Sequence, residues 1–597
     1  MKDAATASYS KKGEAIVKMN HDAIDAGAKA IVEVPVPAEW ADAETESLFV
    51  EAKGDNKPLV DYINNVQNYV NGQEGNALKV SDLVPYVDGH MPLGASAFEK
   101  RGVAVDVPSW NPDNCIQCNF CAYVCPHATI RPVAMTEEEA AAAPAATKTA
   151  DMTGMPGYKF AMTVTVLDCL GCGSCVNICP GKKGEKALTM QGLDSQRDQQ
   201  EVYDYGQKLP AKEEVLAKFK ADSVKGSQFR QPMLEFSGAC AGCGETPYAK
   251  LITQLFGERM YIANATGCSS IWGGSAPATP YTTNAKGQGP AWANSLFEDN
   301  AEFGLGMFTG QNTLREQTKE KVVALAESTD NADVKAAAAE YLDTYADGSK
   351  NGAATDKLVA ALEACGCDAA KEILAKKEFL SKKSQWIFGG DGWAYDIGFG
   401  GVDHVLASGE DVNVFVFDTE VYSNTGGQAS KSTNLGAIAQ FQAAGKGTKK
   451  KDLAAIAMSY GYVYVAQIAM GADYNQTVKA IAEAEAYPGP SLVIGYAPCI
   501  NHGIKGGMKI AQTEEKKAVT SGYWNLFRFN PALAAEGKNP FHLDSKAPTT
   551  EYEDFIMGEV RYNALSRQNP ERAKELFAEA KANAEAKYNR LKEMSDK

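Results

Sequence analysis

Short apolar runs rich in β-branched and aromatic residues recur between residues 236 and 525. Four of them are "RMYIANATG", "QWIFGGDG", "VNVFVFDT" and "PSLVIGYAP", and segments with helical periodicity separate them. Continuous apolar runs that alternate with helical patterns are typical of strands buried on both faces of a parallel sheet. The pattern therefore predicts an α/β domain over residues 236–525, in which helices cover a parallel sheet.

Two segments of this region depart from the alternation. Residues 311–383 are rich in Ala, Lys and Glu and show helical periodicity without a strand pattern, so we expect a helical insertion there. The uncharged run "LAAIAMSYGYVYVAQIAMGA" at 453–472 is long enough to span a bilayer, but it carries three tyrosines, Ser459 and Gln467. It predicts a helix, a stop at Gly461 and an alternating strand, and not a membrane segment.

The remaining segments differ in composition. Residues 1–35 predict a helix followed by a short strand in "AIDAGAKAIVEVPV", and they look like the tail of a preceding domain. The other predicted segments are a connector at 36–108, a small cysteine-dense unit at 109–195 with an exposed insertion at 137–157, a charged linker at 196–235, and a C-terminal extension at 526–597 whose last amphipathic helix begins at Asn569 and Pro570.

Composition narrows the class of protein. The 597 residues are 45% hydrophobic and 22% charged, as in soluble globular proteins, and the formal net charge of −16 disfavours nucleic acid and anionic membranes as partners. The opening residues "MKDAATASYSKKGEAIVKMN" lack the apolar core of a secretory signal, which predicts a cytoplasmic or equivalent reducing compartment. Disulfides are then unexpected, so the 14 cysteines need another purpose.

Eight cysteines fall in two rows with the same spacing. The rows are "CIQCNFCAYVCP" and "CLGCGSCVNICP", and both match the C-x2-C-x2-C-x3-C-P run of bacterial two-cluster ferredoxins. Three closely spaced thiolates can hold one cubane while the fourth, facing the other way, reaches the neighbouring cluster. Two zinc sites are the alternative, but the third cysteine of each row has no role in a C-x2-C zinc half-site. The rows predict two 4Fe-4S clusters with crossed ligand sets: Cys115, Cys118, Cys121 and Cys179 for one, and Cys169, Cys172, Cys175 and Cys125 for the other.

Four further cysteines stay ambiguous when only spacing is considered. Cys240 and Cys243 in "SGACAGCGETPY" have a metal-binding spacing, but no third or fourth ligand follows them nearby. Cys268 and Cys499 each follow an apolar strand, where a single cysteine is as often a buried free thiol as a ligand.

The last pair of cysteines lies in the predicted helical insertion. Cys365 and Cys367 in "ACGCD" are separated by one residue, which is too tight for a cubane edge. No cluster role is predicted for this pair, and a redox or adventitious metal role is the minor alternative.

Two strand ends predict a phosphate and cation site. The run "IFGGDGWAYDIGFGGVDH" ends a strand, turns on glycines and opens a helix, which exposes Asp391 and backbone N–H groups where a phosphate and its divalent cation can bind. The second run, "VNVFVFDTEVYSNTGGQ", ends another strand in a loop rich in oxygen ligands. Ligands gather at the carboxyl ends of parallel strands, so the two loops are expected to share one ligand. For the first run alone, a turn that merely requires glycines is the alternative.

These motifs together resemble a known family. A GDG turn followed at this interval by a strand and an Asn-containing loop resembles the thiamine diphosphate fold. The cysteine rows combined with "CAGCGETPY", "NATGCSSIWGG", "DTEVYSNTGGQ" and "SGYWNLFRFNP" resemble the C-terminal half of pyruvate:ferredoxin (flavodoxin) oxidoreductases over nearly all of residues 100–597. The resemblance implies oxidative decarboxylation of pyruvate to acetyl-CoA and CO2 on thiamine diphosphate, with single electrons passing through iron–sulfur clusters to ferredoxin or flavodoxin.

The resemblance also supplies the missing ligands of the ambiguous cysteines. It implies that Cys268 and Cys499 join Cys240 and Cys243 around a third 4Fe-4S cluster, which lies beside the thiamine and accepts the first electron. Both added cysteines follow predicted strands, whose ends converge at one edge of the sheet.

The remaining cofactor contacts are likewise implied by the resemblance. Asp391, Thr419 and the Val421 carbonyl would hold Mg2+ on the diphosphate, although "DTEVYSNTGG" replaces the two asparagines of the commonest motif, so Thr419 and Val421 come from a narrower family. Glu245 and Asn424 would act at the catalytic centre. The other residues implied to bind thiamine diphosphate are Cys268, Gly390, Gly392, Trp393, Glu420, Tyr422 and Ser423.

The resemblance further implies that this chain needs a complement. In the family, the glutamate that activates the thiamine and the residues that contact pyruvate lie in N-terminal domains, and residues 1–35 resemble only the end of the coenzyme A-binding domain. We therefore expect one subunit of a split enzyme or a fragment, active with pyruvate and coenzyme A in a dimeric assembly that includes the N-terminal half. The alternatives are another 2-oxoacid as substrate, or an electron-transfer subunit without its own catalysis. The second is disfavoured by the intact residues Asp391, Thr419, Asn424 and Glu245.

Overall fold

The computed structural model describes residues 1–42, 50–275 and 277–597, which divide into two compact units, Met1–Glu51 and Ala52–Lys597. The first unit contains helices α1 (Lys2–Tyr9) and α2 (Glu14–Lys29). The short strand predicted after α2 is wrong, because residues 31–37 have no regular structure. A strand needs a hydrogen-bonded neighbour, and the described residues of this unit include no other strand.

The second unit begins within the segment predicted as a connector, and contains its part from Ala52 onward. It contains α3 (Lys57–Tyr62) and α4 (Asn68–Asn71), and its apolar side chains pack with Ala278. The Tyr62 hydroxyl donates to the Pro277 carbonyl at 2.5 Å. The segment is therefore built onto the body of the unit rather than spacing two domains apart.

The cysteine-dense unit is a small α+β structure. Strand β1 pairs with β5, and strands β2, β4 and β3 form a second antiparallel sheet. The elements in chain order are β1 (Asp106–Trp110), α5 (Phe120–Tyr123), β2 (Ile130–Thr136), α6 (Glu137–Ala141), β3 (Ala150–Asp151), β4 (Tyr158–Val164), α7 (Ser174–Ile178) and β5 (Leu188–Gly192).

The predicted linker at 196–235 folds into helices that cover this unit. They are α8 (Gln199–Lys208), α9 (Glu213–Lys218) and α10 (Val224–Ser227). At Gly206 the backbone of α8 approaches β2 so closely that an added Cβ would lie 3.0 Å from the Val133 side chain. The linker also carries Glu235, which forms a buried ion pair with Arg131 of β2.

One eight-stranded sheet organises the rest of the chain, in the order β15-β14-β12-β13-β9-β8-β6-β7. Strands β7, β6, β8, β9, β13 and β12 are parallel, whereas β14 and β15 add to the edge in antiparallel orientation. The strands are β6 (Met260–Ala265), β7 (Ala291–Ser295), β8 (Ser384–Gly390), β9 (Asn413–Asp418), β10 (Val421–Tyr422), β11 (Gln428–Ala429), β12 (Tyr464–Ile468), β13 (Ser491–Tyr496), β14 (Phe527–Phe529) and β15 (Phe541–Leu543), of which β10 and β11 form a separate ribbon. The predicted α/β class with a largely parallel sheet is confirmed.

Helices cover both faces of this sheet and bury two large apolar clusters against it. The run at 453–472 forms a helix, a turn at Gly461 with φ +76° and strand β12. The helices are α11 (Thr246–Phe256), α12 (Cys268–Ser270), α13 (Asn300–Ser328), α14 (Ala332–Asp343), α15 (Asn351–Cys365), α16 (Asp368–Leu374), α17 (Phe399–Ala407), α18 (Leu453–Met458), α19 (Tyr474–Ala486), α20 (Ala511–Thr520), α21 (Ala532–Ala535), α22 (Tyr552–Ile556), α23 (Val560–Gln568) and α24 (Pro570–Ser595).

Two boundaries differ from the expectation drawn from sequence. The helical layer around residues 311–383 begins earlier, at Asn300, whose side-chain amide donates to the Phe388 carbonyl of β8. The sheet also continues past residue 525, because β14 and β15 complete its edge and α24 packs Leu576 and Phe577 into the main core. Across the described ranges, no helix combines the length and apolarity needed to cross a membrane.

Candidate cofactor-binding site

The two cysteine rows line two cavities. Each cavity takes three cysteines from one row and the fourth from the other row, because the fourth cysteine lies beyond a short helix, α5 or α7, that points it away from its own loop. The first cavity is lined by Cys115, Cys118, Cys121 and Cys179, and the second by Cys125, Cys169, Cys172 and Cys175. The structure thus brings together the same crossed sets that the spacing predicts.

Left-handed residues curl the loops around these cavities. In the first row Gln117 and Asn119 have φ of +55° and +63°, which is uncommon for residues other than glycine. Their side chains tie the loop to neighbouring backbone: Gln117 donates to the Asp151 carbonyl at 2.7 Å, and Asn119 to the Lys225 carbonyl at 3.1 Å. In the second row Gly171 has φ +66°, and an added Cβ would lie 2.8 Å from the Asp106 carbonyl.

The thiols around the cavities are costly to ionise without a bound metal. Burial raises the pKa of the Cys169 thiol to about 12, and burial followed by the neighbouring thiolates raises the pKa of Cys121 well above its ordinary value. A bound metal cluster would supply the positive charge that offsets this cost.

A second set of four thiols meets at the carboxyl end of the large sheet. Cys268 begins α12 directly after β6, Cys499 follows β13, and Cys240 and Cys243 lie in the loop before α11. Burial raises the pKa of Cys499 to about 11, and the Glu245 and Cys240 charges add to that rise. Burial raises the pKa of Cys268 as well, with smaller contributions from Glu245, Cys243 and Cys499.

A glycine lets the loop of Cys240 and Cys243 approach the end of β13. An added Cβ at Gly244 would lie 2.5 Å from the Pro498 carbonyl. Any side chain at this position would therefore push the loop away from Cys499.

Beside these thiols, three oxygen ligands meet at the ends of β8 and β9. The Thr419 hydroxyl lies 3.0 Å from Asp391 Oδ1 and 3.0 Å from the Val421 carbonyl oxygen. The Thr419 backbone N–H donates to Asp391 Oδ1 at 3.2 Å, and the Ser430 hydroxyl donates to Oδ2 at 2.5 Å. A carboxylate, a hydroxyl and a carbonyl are hard oxygen donors of the kind that Mg2+ prefers.

The electrostatics of Asp391 also fit a cation. Its carboxyl is fully buried, and burial raises its pKa well above the ordinary value. The neighbouring Asp418 carboxylate raises the pKa further, while Ser430, Lys450 and Thr419 act in the opposite direction. A divalent cation bound to Asp391 reverses this balance, because it is the largest charge in such a site and favours the ionised carboxylate.

Two residues implied to contact the cofactor have buried side chains that pack within the protein. Glu420 has φ +60°, and its buried carboxylate binds Lys450 at 2.9 Å and Arg561 at 2.8 Å. Burial by itself would raise the pKa of Glu420, but Lys450 and then Arg561 outweigh it and hold the pKa at about 2. Trp393 lies in the main apolar core. The role of Glu420 is therefore to anchor the loop between Thr419 and Val421 in a strained conformation.

The other predicted contacts lie around the two ligand sets. Gly392 admits the Tyr422 ring, since an added Cβ would lie 2.5 Å from it. Gly390 ends β8, and Asn424 is exposed in the loop after β10. Glu245 is buried and accepts a hydrogen bond from the Trp272 indole at 2.7 Å, and burial raises its pKa to about 7.

Direct contacts join the thiol set to the oxygen loop. The Cys268 thiol lies 3.2 Å from the Ser423 hydroxyl. The Asn501 side-chain amide donates to the Ser423 carbonyl at 3.2 Å and to the Cys499 sulfur at 3.5 Å. A group held by the oxygen loop would thus lie next to a cluster held by the thiols.

Sequence reasoning missed the cations that support the site. Lys450 binds Asp418 as well as Glu420, each at 2.9 Å. Lys250 of α11 is fully buried and donates to the carbonyls of Ala122 and Tyr123, between two cysteines of the first row. A lone lysine carries no motif, and only its burial beside carboxylates or carbonyls reveals the role.

Comparisons with known proteins match these features. Family models described as a 4Fe-4S dicluster domain, a thiamine pyrophosphate enzyme C-terminal TPP binding domain and a domain of unknown function (EKR) match residues 114–183, 360–494 and 51–104. The pyruvate-flavodoxin oxidoreductase of Klebsiella pneumoniae is 51% identical over 100% of this chain and 50% of its own length. The pyruvate:ferredoxin oxidoreductase of Moorella thermoacetica is 52% identical over 100% of this chain and 51% of its own length.

By sequence, this chain belongs among the homologues of pyruvate-flavodoxin and pyruvate:ferredoxin oxidoreductases. The resemblance drawn from its motifs is confirmed, and the chain spans about half the length of the curated relatives it matches. The mitochondrial NADP(+) pyruvate dehydrogenase of Euglena gracilis is 45% identical over 98% of this chain and 32% of its own length. A solved 2-oxoglutarate:ferredoxin oxidoreductase from Magnetococcus marinus matches 56% of this chain and 86% of its own chain at 14% identity, with a TM-score of 0.29.

Proposed function

We propose that this chain supplies the diphosphate-binding side and three 4Fe-4S clusters of an enzyme that oxidatively decarboxylates pyruvate, transfers the acetyl group to coenzyme A and passes the two electrons one at a time to ferredoxin or flavodoxin. The observation that carries the proposal is the contact between Cys268 and Ser423, which joins one of the four cysteines directly to the oxygen-ligand loop. The naming of the relatives supports pyruvate as the substrate.

The three oxygen ligands would bind the diphosphate through a metal ion that they share with it. Asp391, Thr419 and the Val421 carbonyl would hold Mg2+, and Glu420 keeps the loop in shape by pairing with Lys450 and Arg561. Bound thiamine diphosphate supplies the electron sink for decarboxylation. Asn424 and Ser423 would contact it from the loop after β10, and Glu245 from the start of α11.

Electrons would leave the site through the thiols. Cys240, Cys243, Cys268 and Cys499 would hold the cluster that accepts electrons first. The two crossed cysteine sets would hold the clusters that pass them to ferredoxin or flavodoxin. Helix α11 supports this order, because it begins beside Glu245 and its buried Lys250 binds the carbonyls at the end of α5.

Turnover would require protein that this chain does not contain. The matched relatives are about twice as long, and the chain aligns with half of them. We expect the complementary half, as a partner subunit or as the rest of a longer chain, to complete the pyruvate and coenzyme A sites in a dimeric enzyme of a reducing, cytoplasmic compartment.

Metal and cofactor content test the proposal on the anaerobically purified chain. Three cubanes predict about twelve iron atoms and twelve acid-labile sulfides per chain, and two predict about eight. Cys499→Ala should lower the iron by about four atoms while the electron paramagnetic resonance signals of the other two clusters remain. An unchanged iron content in this variant would contradict the ligand assignment.

A matched variant tests the oxygen cluster separately. Asp391→Asn should abolish retention of thiamine diphosphate and Mg2+ and leave the iron content unchanged. An electron-transfer subunit without its own catalysis would instead hold iron and sulfide but bind no thiamine diphosphate in either form. With the complementary half added, pyruvate-dependent dye reduction should appear, and competition with 2-oxoglutarate would identify the substrate.

A further inference from the structure

The turn between helices α15 and α16 brings two thiols into contact. Cys365 ends α15, Cys367 directly precedes α16, and Gly366 between them has φ +61°. The Cys365 thiol donates to the Cys367 sulfur at 3.2 Å. Both cysteines are partly exposed, and Gly366 and Asp368 beside them are exposed. A reactant in solution can therefore reach this pair.

The two thiols of this turn are not equivalent. The pKa of Cys367 is lowered first by the hydrogen bond from Cys365 and then by backbone N–H groups that include Ala370 and Ala369. These donors all point at the Cys367 sulfur, so they favour its thiolate over its protonated form. By contrast, burial raises the pKa of Cys121 and of Cys243, which belong to the cofactor-binding sets. A thiolate at ordinary pH is the nucleophilic form of cysteine.

The pair is separate from the candidate cofactor site. Neither of the two cysteine cavities includes it, and it lies in the helical layer α13–α16 with its own apolar cluster around Tyr341 and Leu358. Its spacing of one intervening residue also differs from the two or three of the cluster rows. Its chemistry is thus independent of the proposed function.

We propose that Cys365 and Cys367 form a thiol–disulfide exchange site for low-molecular-weight disulfides, in which Cys367 attacks and Cys365 resolves. The Cys367 thiolate attacks one sulfur of the disulfide, a mixed disulfide forms, and the first thiolate leaves. Cys365 then loses its proton and attacks the Cys367 sulfur, which closes the internal disulfide and releases the second thiol. Two electrons pass from the cysteine pair to the reactant, which is reduced to two thiols.

The geometry allows the second step with little movement. A disulfide bond is about 2.05 Å long, so the sulfurs, now 3.2 Å apart, need to approach by about 1 Å. Gly366 is exposed and has no neighbouring atom within 4 Å of an added Cβ, so the turn has room to adjust. A thiolate beside a resolving cysteine is the arrangement found in redox-active dithiols.

The experiment uses the anaerobically purified chain with its clusters loaded, and glutathione disulfide as the probe. After alkylation of free thiols and trypsin digestion, residues 358–371 form one peptide that contains this pair and no other cysteine. Mass spectrometry of the wild-type peptide should show the internal disulfide. In Cys365→Ser the same peptide should carry one glutathionyl group, because the resolving thiol is missing.

The reciprocal variant distinguishes the two roles. Cys367→Ser should react severalfold more slowly, because the backbone N–H groups at the start of α16 point at position 367 and not at Cys365, and the double serine variant should not react. Equal rates for the two single variants, a mixed disulfide that persists in the wild-type chain, or no reaction at either cysteine would overturn the proposal. Iron content measured in parallel should not change, and a loss of iron would show that the probe attacks the cluster sites instead.

Discussion

The cysteine-dense unit and the carboxyl end of the large sheet both gather cysteine ligands, but they do so in different ways. In the unit, two cavities are built from two loops of about a dozen residues, closed by short helices. At the carboxyl end of the sheet, the four cysteines and three oxygen ligands come from loops spread between residues 240 and 499. A site made by local spacing can be recognised from sequence alone, whereas a site made by convergent strand ends exists only after the sheet has formed.

The two regions also differ in buried charge. The cysteine cavities have mainly apolar walls, and only a few charged groups such as Lys250 lie near them. The carboxyl end of the sheet buries Asp391, Asp418 and Glu420 together. Lys450 pairs with Asp418 and Glu420, and Arg561 pairs with Glu420. Loss of one lysine or arginine side chain should therefore destabilise the carboxyl end of the sheet more than the cysteine-dense unit.

The largest effect is expected at Lys450. Lys450→Met leaves two buried carboxylates without their shared partner, so the free energy of unfolding should fall by about 3–5 kcal/mol. Anaerobic denaturant unfolding followed by circular dichroism measures it. Lys449→Met is the matched control, because Lys449 is exposed. A loss below about 1 kcal/mol would mean that solvent or protonation already compensates the two carboxylates.

A pH-dependent effect of intermediate size is expected at Glu515. Burial raises the pKa of this carboxyl to about 8, although the Gly471 N–H and the Tyr248 hydroxyl favour its ionised form. The folded state keeps a proton that the unfolded state loses near pH 4.3, so this stability is present at low pH and is lost as pH rises through about 8.

Replacement of that carboxyl should flatten the profile. Between pH 6 and 8, Glu515→Gln should reduce the decline in unfolding free energy by about 1–2 kcal/mol. Denaturant unfolding at several pH values checks this, with Glu536→Gln as the exposed control. An unchanged slope in Glu515→Gln would place the titration elsewhere.

The smallest effect on the free energy of unfolding is expected in the cysteine-dense unit, at the start of α6. The Thr136 hydroxyl accepts from the Glu139 N–H at 3.2 Å, and Glu139 accepts from the Thr136 N–H at 2.9 Å. Thr136→Ala should cost about 1 kcal/mol, and Thr136→Ser should restore most of it. Hydrogen exchange should speed up over residues 137–141 alone. A spread of the effect to β9 would mean that the two regions unfold as one.

The sequence predicted the large elements and the local ligands. Apolar runs placed β6, β8, β9 and β13, and the cysteine rows predicted the crossed sets that line the cavities. The short strands β14 and β15 were not predicted, because three residues leave no periodic pattern. The strand predicted after α2 was wrong, because an alternating pattern does not supply a neighbour to pair with.

At the carboxyl end of the sheet, the cysteine spacing predicted only half of the set of four thiols. Cys268 and Cys499 carry no partner within their own loops, so only a family resemblance connected them with Cys240 and Cys243. The buried ion pairs of Glu420 were not predicted, since its identity does not reveal that the backbone turns its carboxylate inward. Long-range pairing, and not residue type, decides such cases.

Helix α11 fixes the number of residues between two buried contacts. Glu245 immediately before it reaches Trp272, and Lys250 five residues later reaches the end of α5. One inserted residue between them would turn Lys250 by about 100° around the helix axis and away from its carbonyl partners. An insertion or deletion between Glu245 and Lys250 would therefore break one of these two contacts unless the chain compensates for it elsewhere.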